Sequence, residues 1–161
     1  MDKYEVTNSD YNKFLSNLKL SGQTDLYQVA LYDSTQWSKG EFGADFNEPM
    51  STMYHWHPAY QNYPAVCISY DGAKAYCEWL TKQYNLQRKR TYTQVLFRLP
   101  TESEWRTAAG SGDPKAITPF PNNQIKTCDK CYLGNIQTSS GRFFDDGGFH
   151  QVKVKSYEPN K

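Results

Sequence analysis

Arg98-Leu99-Pro100-Thr101-Glu102-Ser103-Glu104-Trp105 combines a strand end, a corner and a helix start in eight residues. Pro100 has no backbone N–H for a ladder and fixes its own φ, so a strand stops there. Thr101 stands three residues before Glu104, the spacing of a capping box that satisfies two orphan N–H groups of a first helical turn. Trp105, Ala108 and Ala109 follow at i, i+3 and i+4, which predicts one face turned to a core.

Working outward, the same logic places two more helices. One begins near Asn8 and carries Tyr11, Phe14, Leu15 and Leu18 at i, i+3, i+4 and i+7. The other begins after Ser69, a suitable N-cap, and carries Ala73, Tyr76, Cys77 and Leu80 at that spacing. Pro64–Ile68 and Thr93–Leu99 read as strands, and Val152–Ser156 alternates apolar and polar as a half-exposed strand does. Tyr11, Phe14, Leu15, Val66, Ile68, Ala73, Tyr76, Cys77, Leu80, Leu99, Trp105 and Ala108 form the expected core. Residues 19–62 and 110–150 hold most of the Gly, Pro, Asn, Asp and Ser and read as long irregular segments, which in compact domains have a structural reason such as an ion or an interface.

The octet closely resembles the R-L-P-T-E-x-E-W signature of the formylglycine-generating enzyme (sulfatase-modifying factor) family, and other segments match in order. Tyr4-Glu-Val-Thr-Asn8 with Tyr11 and Phe14-Leu15 is similar to the family's opening. Tyr63-Pro-Ala-Val66, Ile68-Ser69 and Ala73, Tyr76, Cys77 and Trp79 are similar to its next block. Leu133-Gly-Asn-Ile136, Asp146-Gly147 and Ser156-Tyr-Glu-Pro-Asn160 resemble later landmarks. The resemblance implies one domain over residues 1–161. Its fold would be α+β: C-type-lectin-like, of the sulfatase-modifying-factor type, loop-rich and incomplete at both ends. Asn47-Glu-Pro-Met50, His57-Pro-Ala-Tyr60 and Lys155-Ser-Tyr-Glu-Pro-Asn160 look most like a Bacteroidetes branch that includes gliding-motility and type 9 secretion lipoproteins. That branch implies an exported protein in the periplasm or at the outer membrane, with protein partners and any lipid anchor outside this chain.

Composition excludes several functions. The chain has 161 residues, 16% of them aromatic, including 13 Tyr and 4 Trp, which argues against disorder despite a mean hydropathy of −0.82. Its net charge of +1 comes from interspersed signs, so nothing steers nucleic acid. No apolar run approaches the length of a membrane span.

Cys128-Asp-Lys-Cys131 is a C-x-x-C pair without a second ligand pair for a structural zinc site. The poor helix sequence after it argues against a thioredoxin-like pair, leaving a disulfide or packed thiols. His55-Trp-His57 would put two imidazoles on one face of an extended segment, with no third ligand indicated. In the family, the cysteine matching Cys77 forms a disulfide to a C-terminal half. The copper-binding catalytic cysteines also lie there, beyond Lys161. No residue here matches them, so the chain carries no copper site and no catalytic residue.

Oxygen ligands are the better candidates. By resemblance, Asn135, Ile136, Asp146 and Gly148 fall on a family calcium site built from two side chains and two carbonyls, a donor set that suits Ca²⁺. Turn chemistry alone reads Asp145-Asp-Gly-Gly148 as an ordinary turn. Three functions remain in view: a non-catalytic, calcium-braced domain of an envelope assembly, part of a formylglycine-generating oxidase, or a lectin-like module using Trp37, Trp56 and Tyr60.

Overall fold

The computed structural model describes residues 2–38, 52–110, 112, 125–128, 131–136, 146–148 and 150–157. The chain divides into two compact units, Val6–Leu99, and Met1–Glu5 with Pro100–Lys161.

The unit Val6–Leu99 is built on three helices. Helix α1 (Asn8–Leu20) starts at Thr7, whose hydroxyl oxygen accepts the Asp10 N–H at 3.2 Å. Tyr11, Phe14, Leu15 and Leu18 are all buried, as their spacing predicts. Gly22, at φ +71°, ends the helix, with its own N–H on Lys19 O and the Gln23 N–H on Leu18 O. This is the left-handed C-cap that glycine adopts without a Cβ penalty. Helix α2 (Thr24–Ala30) follows directly and corrects the reading of residues 19–62 as irregular. It has no side-chain cap, and it is held by packing against both α1 and the third helix.

Helix α3 (Tyr70–Leu86) is capped by Ser69, whose hydroxyl oxygen accepts the Gly72 N–H at 2.9 Å and whose O–H donates to Val29 O at 3.0 Å. Its fully buried face is Gly72, Ala75 and Tyr76, one position round from the predicted Ala73, Cys77 and Leu80, which are half-buried. The smallest residues face α1 and α2 because those helices approach closely: the Tyr11 hydroxyl donates to Ala30 O at 2.9 Å in front of Gly72. Rings fill the rest of the core. Tyr11 lies 5.4 Å from Phe14, 5.3 Å from Tyr32 and 5.5 Å from Tyr76, within the range of favourable aromatic pairs.

Residues 54–66 are pinned beneath α1 by polar contacts. Buried Asn8 donates to Tyr54 O at 3.0 Å and Tyr60 O at 3.1 Å, and its backbone N–H donates to Tyr63 O. Thr7 and Pro64 form an isolated bridge, the one β-pairing of the predicted strand Pro64–Ile68 among the described residues, beside which the Ala65 N–H donates to Val6 O and Cys67 O accepts the Asp33 N–H. Thr93–Leu99 also forms no ladder. Asn85 of α3 instead accepts the Val95 N–H at 3.0 Å and donates to Val95 O at 2.8 Å, while Thr81 Oγ accepts the Phe97 N–H at 2.9 Å.

In the other unit, helix α4 (Glu102–Ala109) has the predicted capping box, with Thr101 N–H on Glu104 Oε2 at 2.8 Å. Its predicted core face is not buried. Trp105 is 54% exposed and Ala108 is exposed, because no hydrophobic cluster of the described residues covers this short helix. Strands β1 (Lys126–Cys128) and β2 (Cys131–Tyr132) pair antiparallel, with Cys128 opposite Cys131 and Lys126 opposite Tyr132. The Lys126 ammonium sits 4.2 Å from the centre of the Tyr132 ring. Val152–Ser156 is a turn rather than a strand: Lys155 takes φ +70°, and the Ser156 N–H returns to Lys153 O. Among the described residues the protein is therefore helix-rich, and its sheet is this one ribbon.

Candidate functional site

Asp146 organises the corner that the sequence marks for calcium. Its Oδ2 accepts the Ile136 N–H at 2.6 Å and its Oδ1 accepts the Gly148 N–H at 3.1 Å. One carboxylate thus joins the 135–136 segment to the 146–148 turn. Gly147 at φ +94° makes the turn possible without strain. Asn135 donates through Nδ2 to His150 O, which leaves its Oδ1 toward the turn, 3.4 Å from where a Gly148 Cβ would stand. That same Cβ would run into Val152, so packing in this chain favours glycine at 148. The Tyr157 hydroxyl closes the corner on Asp146 O at 3.4 Å; burial, then the nearby Asp146 charge, pushes that hydroxyl's pKa above the usual tyrosine range.

The structure therefore brings Asn135, Ile136, Asp146 and Gly148 together. Asp145 lies outside the described residues. The fit to a hard cation rests on lone pairs: each Asp146 oxygen uses one of its two on an amide, and Asn135 Oδ1 makes no hydrogen bond among the described residues. The His150 carbonyl and Tyr157 were not foreseen; a carbonyl contact leaves no trace in residue type.

The other candidates resolve differently. His55 and His57 do not share an extended face. Buried His55 sets Nε2 3.2 Å from Val66 O and stacks on Tyr32 with ring centres 3.9 Å apart, while His57 Nδ1 accepts the Ala59 N–H and caps a short 3₁₀ turn, Pro58–Tyr60. Burial lowers the His55 pKa, partly offset by its bond to Val66 O. Cys67 and Cys77 are free thiols, both pushed up in pKa mainly by burial, which makes them poor nucleophiles. The C-x-x-C pair sits on a hairpin instead of a helix start, the wrong setting for thioredoxin-like activation. The side chains of Cys128, Cys131 and Trp37 lie outside the described residues. Trp56 is 57% exposed, edge-on to Tyr32, beside a shallow groove of Asn12, Leu15, Ser16, Lys19 and Tyr27, whereas Tyr60 is half-buried against Tyr54. No group of three His, Cys, Asp or Glu capable of holding a metal, and no helix long and apolar enough to cross a membrane, occurs among the described residues.

Comparison with known proteins agrees with the sequence landmarks. The chain is 26% identical to the mouse (Mus musculus) formylglycine-generating enzyme over 185 aligned positions, covering 99% of this chain and 44% of the relative. It is 25% identical to the bovine (Bos taurus) formylglycine-generating enzyme, with 99% and 43% coverage. It is 24% identical to the bovine inactive C-alpha-formylglycine-generating enzyme 2, with 99% and 52% coverage. The chain thus spans about half the length, or less, of these relatives. No solved structure matches it. The model of the sulfatase-modifying factor enzyme 1-like domain matches residues 1–161. With the octet, the capped helices and the later landmarks all in family order, the chain belongs to the FGE-sulfatase (sulfatase-modifying factor enzyme 1-like) domain family and takes its type of fold.

Proposed function

We propose that this chain is a non-catalytic, calcium-braced structural or interaction domain of a cell-envelope assembly, of the gliding-motility and type 9 secretion kind. The observation that carries the reading is the Asp146 corner, where one carboxylate and one asparagine tie together segments that share neither strand nor helix. Asn135 Oδ1, Ile136 O, the Asp146 carboxylate and Gly148 O would hold Ca²⁺, with waters completing the six to eight oxygens it takes. The ion would supply positive charge and cross-linking, not reaction chemistry. The brace suits an exported protein at the periplasmic or outer-membrane side, working through protein partners. The relative named as inactive supports a family domain without activity. Two measurements test the reading: calcium should raise the melting temperature and a chelator lower it, and incubation with a cysteine-containing sulfatase peptide should yield no formylglycine by mass spectrometry.

The two relatives named formylglycine-generating enzyme favour a second reading, in which the chain is part of an oxidase acting on sulfatase cysteines. Formylglycine in that assay would select it. The lectin-like alternative has exposed Trp56 as its one observation, and saturable sugar quenching of tryptophan fluorescence would be its sign.

A further inference from the structure

Residues 93–97 lie along α3 with their backbone divided between two edges. The N–H and C=O of Val95 and the N–H of Phe97 turn to Asn85 and Thr81 of the helix. Between them, Leu96 has neither backbone group hydrogen-bonded, and neither does Gln94, among the described residues. Side chains follow the same period of two: Val95 and Phe97 are half-buried, whereas Gln94 is exposed and Leu96 is 75% exposed. This is the pattern of an extended chain with one edge satisfied and the other open. Natural proteins blunt such edges with prolines, charges or bulges. Thr91-Tyr-Thr-Gln-Val-Leu-Phe97 has no charge and no proline, and it is rich in strand-forming residues.

We propose that the Gln94–Leu96 edge is a docking site for an extended, acidic polypeptide segment that adds to it as a β-strand. Main-chain hydrogen bonds would supply the pairing, and Leu96 an apolar contact on one face. Charge selects the occupant. From Trp79 to Thr101 the chain contains Lys82, Arg88, Lys89, Arg90 and Arg98 and no acidic residue. Arg90 is engaged within the unit, donating to Asn85 O, Gln87 O and Thr93 O, which fixes the turn leading into the edge. Lys82, Arg88 and Lys89 are exposed. This inference rests on the interaction-domain reading for its biological use, but it stands on the unit Val6–Leu99 and would fail independently of calcium binding or oxidase chemistry.

The test is amide hydrogen exchange by NMR on the whole chain. The probe is a nine-residue, end-blocked peptide of alternating valine and threonine with an aspartate at each end. In the free chain the amides of Val95 and Phe97 should be protected and those of Gln94 and Leu96 should exchange freely. Peptide should slow Gln94 and Leu96 by about tenfold or more. Leu96→Pro, which removes the backbone donor at the centre of the open edge, should abolish the effect, with circular dichroism confirming the fold. Should that variant not fold, the same peptide N-methylated at alternate residues serves instead and should fail to protect. Unchanged exchange with saturating peptide, or equal protection by the methylated peptide, overturns the proposal. So does protection of Gln94 and Leu96 already present in the free chain, a dimeric mass then identifying a second copy as the occupant and a monomeric mass the chain itself.

Discussion

The carboxylate of Asp146 accepts the Ile136 amide proton at 2.6 Å, joining positions ten residues apart. If calcium also binds there, Asp146→Asn removes a negative charge and half of the side chain's acceptor capacity. At calcium one hundred times its Kd the wild type should gain about 2.7 kcal/mol, and the variant much less. For a domain of this size the gain is a melting-temperature rise of roughly 5–10 °C. Asp145→Asn should leave most of it. A calorimetric titration of both variants checks the order, and equal responses would remove Asp146 from the site.

Gly72→Ala should destabilise the protein even though alanine is the better helix former. The new Cβ would stand 3.0 Å from the Tyr11 hydroxyl oxygen and 3.3 Å from Ala30 Cα. Overpacking of about 1–3 kcal/mol outweighs the roughly 1 kcal/mol that propensity returns. Urea denaturation decides the sign, and a stabilised variant would mean that α2 and α3 are less closely packed than the structure shows.

Phe14→Ala and Trp105→Ala should differ sharply. Phe14 is wholly buried among Tyr11, Tyr76 and Trp79, so its truncation costs about 3–5 kcal/mol. Trp105, half in water, should cost no more than about 1 kcal/mol. Thermal melts compare the two directly; equal losses would show that Trp105 is covered in solution.

Acid should weaken the fold through His55. Buried and stacked on Tyr32, it resists protonation when folded, while the unfolded chain takes up the proton near pH 6.5. The unfolded state then binds more protons, so stability is complete above about pH 6.5 and falls as the pH drops below it. Asp10, held below the usual carboxylate range chiefly by its hydrogen bond to Lys13, acts only at lower pH, where its own contribution is lost. Melting temperatures at pH 7.5, 6 and 5 should decline in the wild type and decline less in His55→Gln.

What the sequence makes legible follows from how local each cause is. Helix α1 announces itself because cap, periodicity and large apolar residues coincide in one stretch. Helix α2 does not, since seven residues without a side-chain cap depend on the neighbours that flank them. The face of α3 is misread by one position because close approach selects Gly72 and Ala75, which periodicity counts as weakly apolar. Thr93–Leu99 has strand propensity, but its partner is a helix, and no local rule names that partner. In Val152–Ser156 the alternation is real, yet Lys155 in the left-handed region breaks the run. The calcium candidates are readable through side chains, whereas the His150 carbonyl that positions Asn135 is not.

The pairing of α3 with residues 95 and 97 works as a vernier. Thr81 and Asn85 are four residues apart on a helix, about 6.0 Å along its axis, while Val95 and Phe97 are two apart on an extended chain, about 6.6 Å. Two steps coincide within bond tolerance, but a third would drift by a further half ångström or so. The next step would match Cys77 with Leu99, immediately before Pro100, where the run ends. The alignment is therefore short and unambiguous, and no ladder is needed to set it. Removing one residue from 86–92 would shift the run by half its period, turning Leu96 toward the helix and Val95 and Phe97 to water.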